Sequence, residues 1–167
     1  MKHLIRASLI LAMVALGACS KNGVGGMGGG LNGSGAADAQ GDPSNPASPA
    51  YFQQSIGDRV FFAVDQSAVD ASAQAELNAQ ADWLIANPDY KVIIEGHADE
   101  RGTRDYNLAL GARRAGSVRE YLTLRGVSAD RIKTVSYGKE RPSELCSEES
   151  CYAMNRRGVT VLSNLSF

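Results

Sequence analysis

The chain has 167 residues, with 17 Lys and Arg against 18 Asp and Glu. Nearly balanced charge, with no basic stripe interleaved with aromatics, argues against nucleic acid as a partner. The first 50 residues hold a leader and a Gly/Pro-rich stretch, which leaves about 115 residues for one domain with one core.

Lys2 and Arg6 precede the apolar run Leu9–Leu16. That run is shorter than the roughly 20 apolar residues a membrane span needs. It ends in Leu16-Gly17-Ala18-Cys19, which resembles the signal-peptide box of bacterial lipoproteins. The resemblance implies that residues 1–18 are removed and that Cys19 is acylated. The alternative is an ordinary secretory signal with an incidental cysteine. Several acyl chains, at about 0.8 kcal/mol per buried CH₂, hold a protein on a bilayer far better than one does. Ser20 resembles the sorting pattern of outer-membrane lipoproteins, where Asp would mark inner-membrane retention. Loss of Lys2 and Arg6 with the leader leaves 15 basic and 18 acidic residues, a formal charge of −3.

Residues 21–50 contain nine Gly and three Pro and almost no large apolar side chains. Such a segment buries too little surface to offset its ordering entropy. Residues 19–50 are therefore expected to be a lipidated Cys followed by a tether. As a flexible coil it spans on the order of 30 Å, and about 100 Å at full stretch.

The folded domain is expected over 51–167. Asp58–Val64 is β-branched and aromatic and reads as a first strand. Asp70 is placed to cap a helix over Ala71–Asn87, in which Ala73, Leu77, Ala81, Leu84 and Ile85 follow helical spacing. Asn87-Pro88 stops it. Lys91–Gly96 reads as the second strand, Asn107–Arg125 as a second helix closed by Gly126, and Ile132–Tyr137 as a third strand. Gly138–Cys151 reads as a long polar loop, and Gly158–Asn164 as a last strand. The order β-α-β-α-β-β predicts an α/β domain of two layers, with helices packed on a mixed sheet.

Cys146 and Cys151 are the two cysteines besides Cys19. In an exported domain such a pair suggests a disulfide, against free thiols or a metal pair. A loop this small contributes roughly 2 kcal/mol. Metal is disfavoured because the only His outside the leader is His97, with no ligand at the right spacing.

Asn107, Leu110, Arg114, Val118 and Leu122 share one helical stripe. An Arg on a core-facing stripe is costly unless paired. Two readings of Arg114 follow: an ion pair with a strand carboxylate, or a bidentate fork for a ligand carboxylate. Asp99 lies just past the second strand, where α/β sheets bind ligands. It reads as a loop cap accepting backbone N–H groups or as a ligand contact. Gly96 and Gly102 bracket this loop and permit unusual backbone angles. His97, Glu100, Arg101, Arg104 and Asp105 read more simply as packing or solvated residues. No Gly-x-Ser-x-Gly elbow, His-Glu-x-x-His pair or phosphate-cradling loop occurs, so catalysis is unsupported and no cofactor is expected.

Gly96-His-Ala-Asp99-x-x-Gly102, continued by Tyr106-Asn107-x-x-Leu110-Gly111-x-x-Arg114-Ala115, resembles the signature of the OmpA-like domain family. Val135–Glu140 and Asn155-Arg-Arg157 extend the match. With the lipobox and tether, the chain resembles the lipoproteins of the Tol–Pal system. The resemblance implies non-covalent binding of peptidoglycan through the diaminopimelate of its stem peptide. Asp99 and Arg114 then recognise its amino-acid end group, and Asn107 sits on the same stripe. It also implies an outer-membrane lipid anchor through Cys19, Tol-system periplasmic partners (TolB and TolA), and a part in envelope constriction at division. The family's Phe-x-Phe-Asp-x-Ser wall reads Phe62-Ala63-Val64-Asp65-Gln66-Ser67 here, with Val64 in place of an aromatic. Asp65 joins the expected site, and backbone N–H groups of Gln66, Ser67 and Ala68 are expected to add anion contacts. A wall-anchoring lipoprotein of another envelope system, such as a secretion or stator accessory, and a wall-lytic enzyme are the competing readings.

Overall fold

Four strands and three long or medium helices account for most of the residues that the computed structural model describes, 41–163. The leader, Cys19 and the first part of the expected tether lie outside the described residues. A short helix, α1 (Pro49–Tyr51), runs into a π-turn over Phe52–Ile56. Then follow β1 (Arg59–Phe61), α2 (Ala71–Ala86), β2 (Lys91–His97) and α3 (Arg104–Leu124). A 3₁₀ turn at Ala129–Arg131 leads to β3 (Ile132–Gly138), α4 (Glu149–Asn155) and β4 (Arg157–Ser163).

The sheet has the order β1-β4-β2-β3. β2 and β3 are parallel, while β4 is antiparallel to both β1 and β2. The parallel pair requires a crossover, which α3 supplies. Helices on one side of a mixed sheet make the expected two layers.

Hydrophobic spacing dictates this core. Ala73, Leu77, Ala81 and Leu84 of α2 are buried, as are Val118 and Leu122 of α3. They meet Val60, Val92, Ile94 and Ile132 from the sheet. Asp70 caps α2 by accepting from the Ala73 N–H at 2.8 Å. Ile85 departs from the expected stripe and is 48% exposed, one residue from the helix end. Gly126, at φ 107°, terminates α3 in the left-handed region that favours glycine.

Three features differ from the sequence expectation. First, the ordered domain reaches back before Tyr51. Trp83 Nε1 donates to the Pro46 carbonyl at 2.7 Å, Tyr90 Oη donates to that of Ala47 at 3.2 Å, and Ser48 and Ala50 are buried. Composition hid this strap, because main-chain carbonyls attach it. Second, β1 is only three residues long, since the chain leaves the sheet after Phe62 and turns at Asp65, whose φ is 58°. Third, α4 occupies part of the expected polar loop. Seven residues give too little periodicity to reveal a helix, and Cys151 lies within it. Cys146 and Cys151 are joined by a disulfide, with Cα atoms 5.9 Å apart.

Gly96 plays a different part from the one its loop position suggested. Its backbone is not in the left-handed region; instead α3 crosses it at contact distance. A Cβ there would sit 1.8 Å from the Gly111 carbonyl oxygen. The two glycines let α3 lie directly on β2, which sets the depth of Arg114.

Candidate binding site

β2 ends at His97, and the chain turns through Ala98 and Asp99 before Thr103 caps α3 with its hydroxyl, accepting from the Tyr106 N–H at 3.2 Å. The turn from β1 approaches from the other side. Between them opens a cavity of about 350 Å³, lined by Val64, Asp65, Asp99, Arg101, Gly102, Tyr106, Asn107, Leu110 and Arg114. A strand end, a loop and a helix start thus meet where α/β sheets commonly bind ligands.

Arg114 forms the floor and is fully buried. Among the described residues no carboxylate lies within ion-pair distance of it. Its Nε donates to the Gln66 carbonyl at 2.8 Å, Nη1 to His97 at 2.8 Å and Nη2 to Ala63 at 3.2 Å. The guanidinium also lies over the Phe62 ring at 5.2 Å. Of the five N–H groups of a guanidinium, three are used here, so two remain for another acceptor. Burial pushes its pKa down to about 10, against the opposing pull of Asp99 and Asp65, so it stays charged at neutral pH. A charge buried on main-chain carbonyls alone lacks a counter-ion.

Asp99 forms the wall and is 8% exposed. Its Oδ2 accepts from Arg101 Nη2 at 2.7 Å and from Arg156 Nη1 at 3.2 Å. Oδ1 accepts from the Arg101 backbone N–H at 3.1 Å. Burial alone would raise this carboxyl, but the hydrogen bonds from Arg101 and Arg156 outweigh it and hold the pKa below the ordinary value. Both readings of Asp99 from the sequence are therefore compatible with its place: it caps the loop and it faces the cavity.

Asp65 and Tyr106 close the mouth with a hydrogen bond between the phenol and the carboxylate. Asn107 is buried and donates to the Arg101 carbonyl at 2.7 Å, which ties the loop to α3. Val64 lines the cavity and is half-exposed. Gln66, Ser67 and Ala68, whose backbone N–H groups are expected to add anion contacts, lie on the turn before α2. The Gln66 N–H donates to Ala63, its carbonyl accepts from Arg114, and all three residues precede α2, whose first turn Asp70 already caps. Ser67 and Ala68 are outside the cavity lining.

Two arginines on Asp99 were not assigned a role from the sequence. Arg101 read as a solvated loop residue, and Arg156 lies 57 residues from Asp99 in the chain. The one signal was the Asn155-Arg-Arg157 run. Among the described residues no group of three His, Cys, Asp or Glu converges to hold a metal, and no helix is long and apolar enough to cross a membrane.

The OmpA family profile matches residues 61–156, which span the whole cavity. The chain belongs to the OmpA family. Within it, the chain falls among the peptidoglycan-associated lipoproteins. It is 55% identical over 119 residues to the protein of that name from Rhizobium meliloti, covering 71% of this chain and 68% of that one. It is 40% identical over 156 residues to the Legionella pneumophila protein, covering 89% of each. The crystal structure of the peptidoglycan-associated lipoprotein from Burkholderia pseudomallei superposes with a TM-score of 0.64 at 40% identity, covering 73% of this chain and all of that one. Membership of the family and the superposition support the α/β fold described above.

Proposed function

We propose that this chain is a lipoprotein of the outer membrane whose domain grips peptidoglycan non-covalently through diaminopimelate. One observation carries the reading. A fully buried arginine with no carboxylate partner among the described residues and a buried carboxylate face the same cavity of about 350 Å³. The free end of diaminopimelate carries one carboxylate and one ammonium. Arg114 takes the carboxylate through its two remaining N–H groups, and Asp99 takes the ammonium. Each group discriminates against a ligand that lacks its counterpart. Asn107, Asp65 and Tyr106 shape the rim.

Acylation at Cys19 anchors the chain in the outer membrane, and the Gly/Pro-rich stretch behind it serves as the tether. The names of the relatives support wall association. Tethering of the outer membrane to the wall, partnership with the Tol periplasmic proteins TolB and TolA, and support of constriction at division belong to the same proposal and rest on the resemblance to the lipoproteins of the Tol–Pal system. Co-sedimentation with purified sacculi tests the reading. The native chain pellets with sacculi, and Arg114→Ala stays in the supernatant. Equal pelleting of both discards the role given to Arg114. Release of soluble muropeptides by the purified chain would favour a wall-lytic enzyme instead.

A further inference from the structure

The segment after β3 closes on itself and then reaches into the cavity wall. The disulfide joins Cys146 to Cys151 in the first turn of α4. Buried Asn155, at the other end of α4, accepts from the Ser143 and Glu144 N–H groups at 2.7 and 3.0 Å and donates to the Glu144 carbonyl at 2.9 Å. Two clamps thus hold a seven-residue helix that propensity alone would not sustain.

Two side chains of this clamped unit touch the partners of Asp99. Glu149 Oε1 accepts from Arg156 Nη2 at 2.7 Å, and its Oε2 lies 3.4 Å from Arg101 Nη1. Tyr152 lies under the Arg101 guanidinium at 4.6 Å. Arg156 also donates from Nε to the Phe62 carbonyl at 3.1 Å. Asp99, Arg101, Glu149 and Arg156 therefore form a closed ring of alternating charge. Two arginines are shared between two carboxylates. Without Glu149, both cations would turn wholly onto Asp99, and a ligand ammonium would compete for a neutralised acceptor.

We infer that Glu149, held by the Cys146–Cys151 cross-link, is a positioning residue that draws Arg101 and Arg156 partly away from Asp99 and so keeps its carboxylate open to a ligand ammonium. This rests on the reading of the cavity as a diaminopimelate site. Glu149 is half-exposed, so its substitution leaves the core untouched, and it acts through its neighbours rather than by touching the ligand.

Titration calorimetry of the full chain in detergent with meso-diaminopimelate tests this. Glu149→Gln is expected to weaken binding about 10-fold, in the range for one charge-assisted contact. Glu149→Asp is expected to restore part of it. Cys146→Ser with Cys151→Ser is expected to shift affinity the same way by a smaller factor. Carboxyl ¹³C titration supplies the readout that a merely structural role would not give. In Glu149→Gln the Asp99 carboxyl titrates at lower pH than in the native chain, because a neighbouring negative charge is lost and both arginines close on it. Unchanged affinity in Glu149→Gln overturns the inference. So does a rise of the Asp99 titration, which would mean that the arginines had splayed away. Arg114→Lys separates the two levels of argument. If the native chain fails to bind, or Arg114→Lys binds as well as native, the cavity reading falls and the inference with it. If Arg114→Lys weakens binding and Glu149→Gln does not, the inference alone falls.

Discussion

Arg114 and Asp99 face one cavity but are held there by different means. Arg114 is anchored by three main-chain carbonyls from the β1 turn and the end of β2. Asp99 is anchored by the side chains of Arg101 and Arg156, and by one backbone N–H of its own loop. Main-chain anchors move only if the fold moves. Side-chain anchors are separable, and the residues that steer them lie on α4. The cationic half of the cavity is thus built into the framework, while the anionic half is adjustable.

The largest effect should come from Arg114→Ala. It strips three carbonyls of their donor and leaves a void, at a cost of about 3 kcal/mol. A melt by circular dichroism should show Tm lower by on the order of 10 °C. Binding to sacculi should fall by about 100-fold or more, as when one partner of a buried charge contact is removed. An unchanged Tm would show that Arg114 is not part of the framework.

Gly96→Ala attacks the same framework without touching a charge. The new Cβ meets the Gly111 main-chain oxygen, which has no rotamer by which to yield. Overpacking should cost about 3 kcal/mol and weaken sacculus binding by displacing α3. Gly116→Ala on the same helix is the control. A Cβ there meets nothing within 4 Å, so chemical denaturation should show a gain of about 0.5–1 kcal/mol from helix propensity. Equal effects of the two substitutions would remove the seam argument.

His97 probes the framework by pH. Its ring is 1% exposed, no hydrogen-bond partner meets either nitrogen, and Nε2 lies 3.5 Å from Glu95 Oε2. Burial, then the charges of Arg157 and Arg141, push its pKa down to about 4. Between 6.5 and about 4 the unfolded chain binds this proton and the folded chain does not. Stability therefore falls as pH drops through that window, by about 3 kcal/mol. Asp99 adds its own loss only below its ordinary value of 3.8. Urea midpoints measured from pH 7 to pH 4 should slope less in His97→Leu than in the native chain.

The smallest effect belongs to the adjustable half. Asp99→Asn keeps the shape and the loop cap but removes the charge. Sacculus binding should weaken about 10-fold, with the circular dichroism spectrum unchanged. A loss as large as that of Arg114→Ala would erase the distinction between the two halves.

Legibility in the sequence followed the same divide. The framework depends on spacing along single elements, so it could be read. Leu110, Arg114, Val118 and Leu122 repeat every four residues, and all four are buried. Asp70 and Gly126 mark helix ends by their own chemistry. The adjustable half depends on contacts between distant segments. Nothing local to Arg156 points to Asp99, and nothing local to Glu149 points to Arg101. α4 is too short to show a stripe. Gly96 lies within β2 and serves the contact with α3 rather than the loop, and a close approach between β2 and α3 leaves no mark in either segment alone. The strap before Tyr51 stayed hidden because main-chain carbonyls of Pro46 and Ala47 do much of the holding.

Displacement from sacculi tests the central claim most directly. The native chain, bound to intact sacculi, is washed with excess free meso-diaminopimelate or with the same concentration of lysine. Lysine lacks the second carboxylate that Arg114 would take. The chain should be released by diaminopimelate and retained under lysine. Retention under both, or equal release by both, would contradict recognition of the diaminopimelate end group by Asp99 and Arg114.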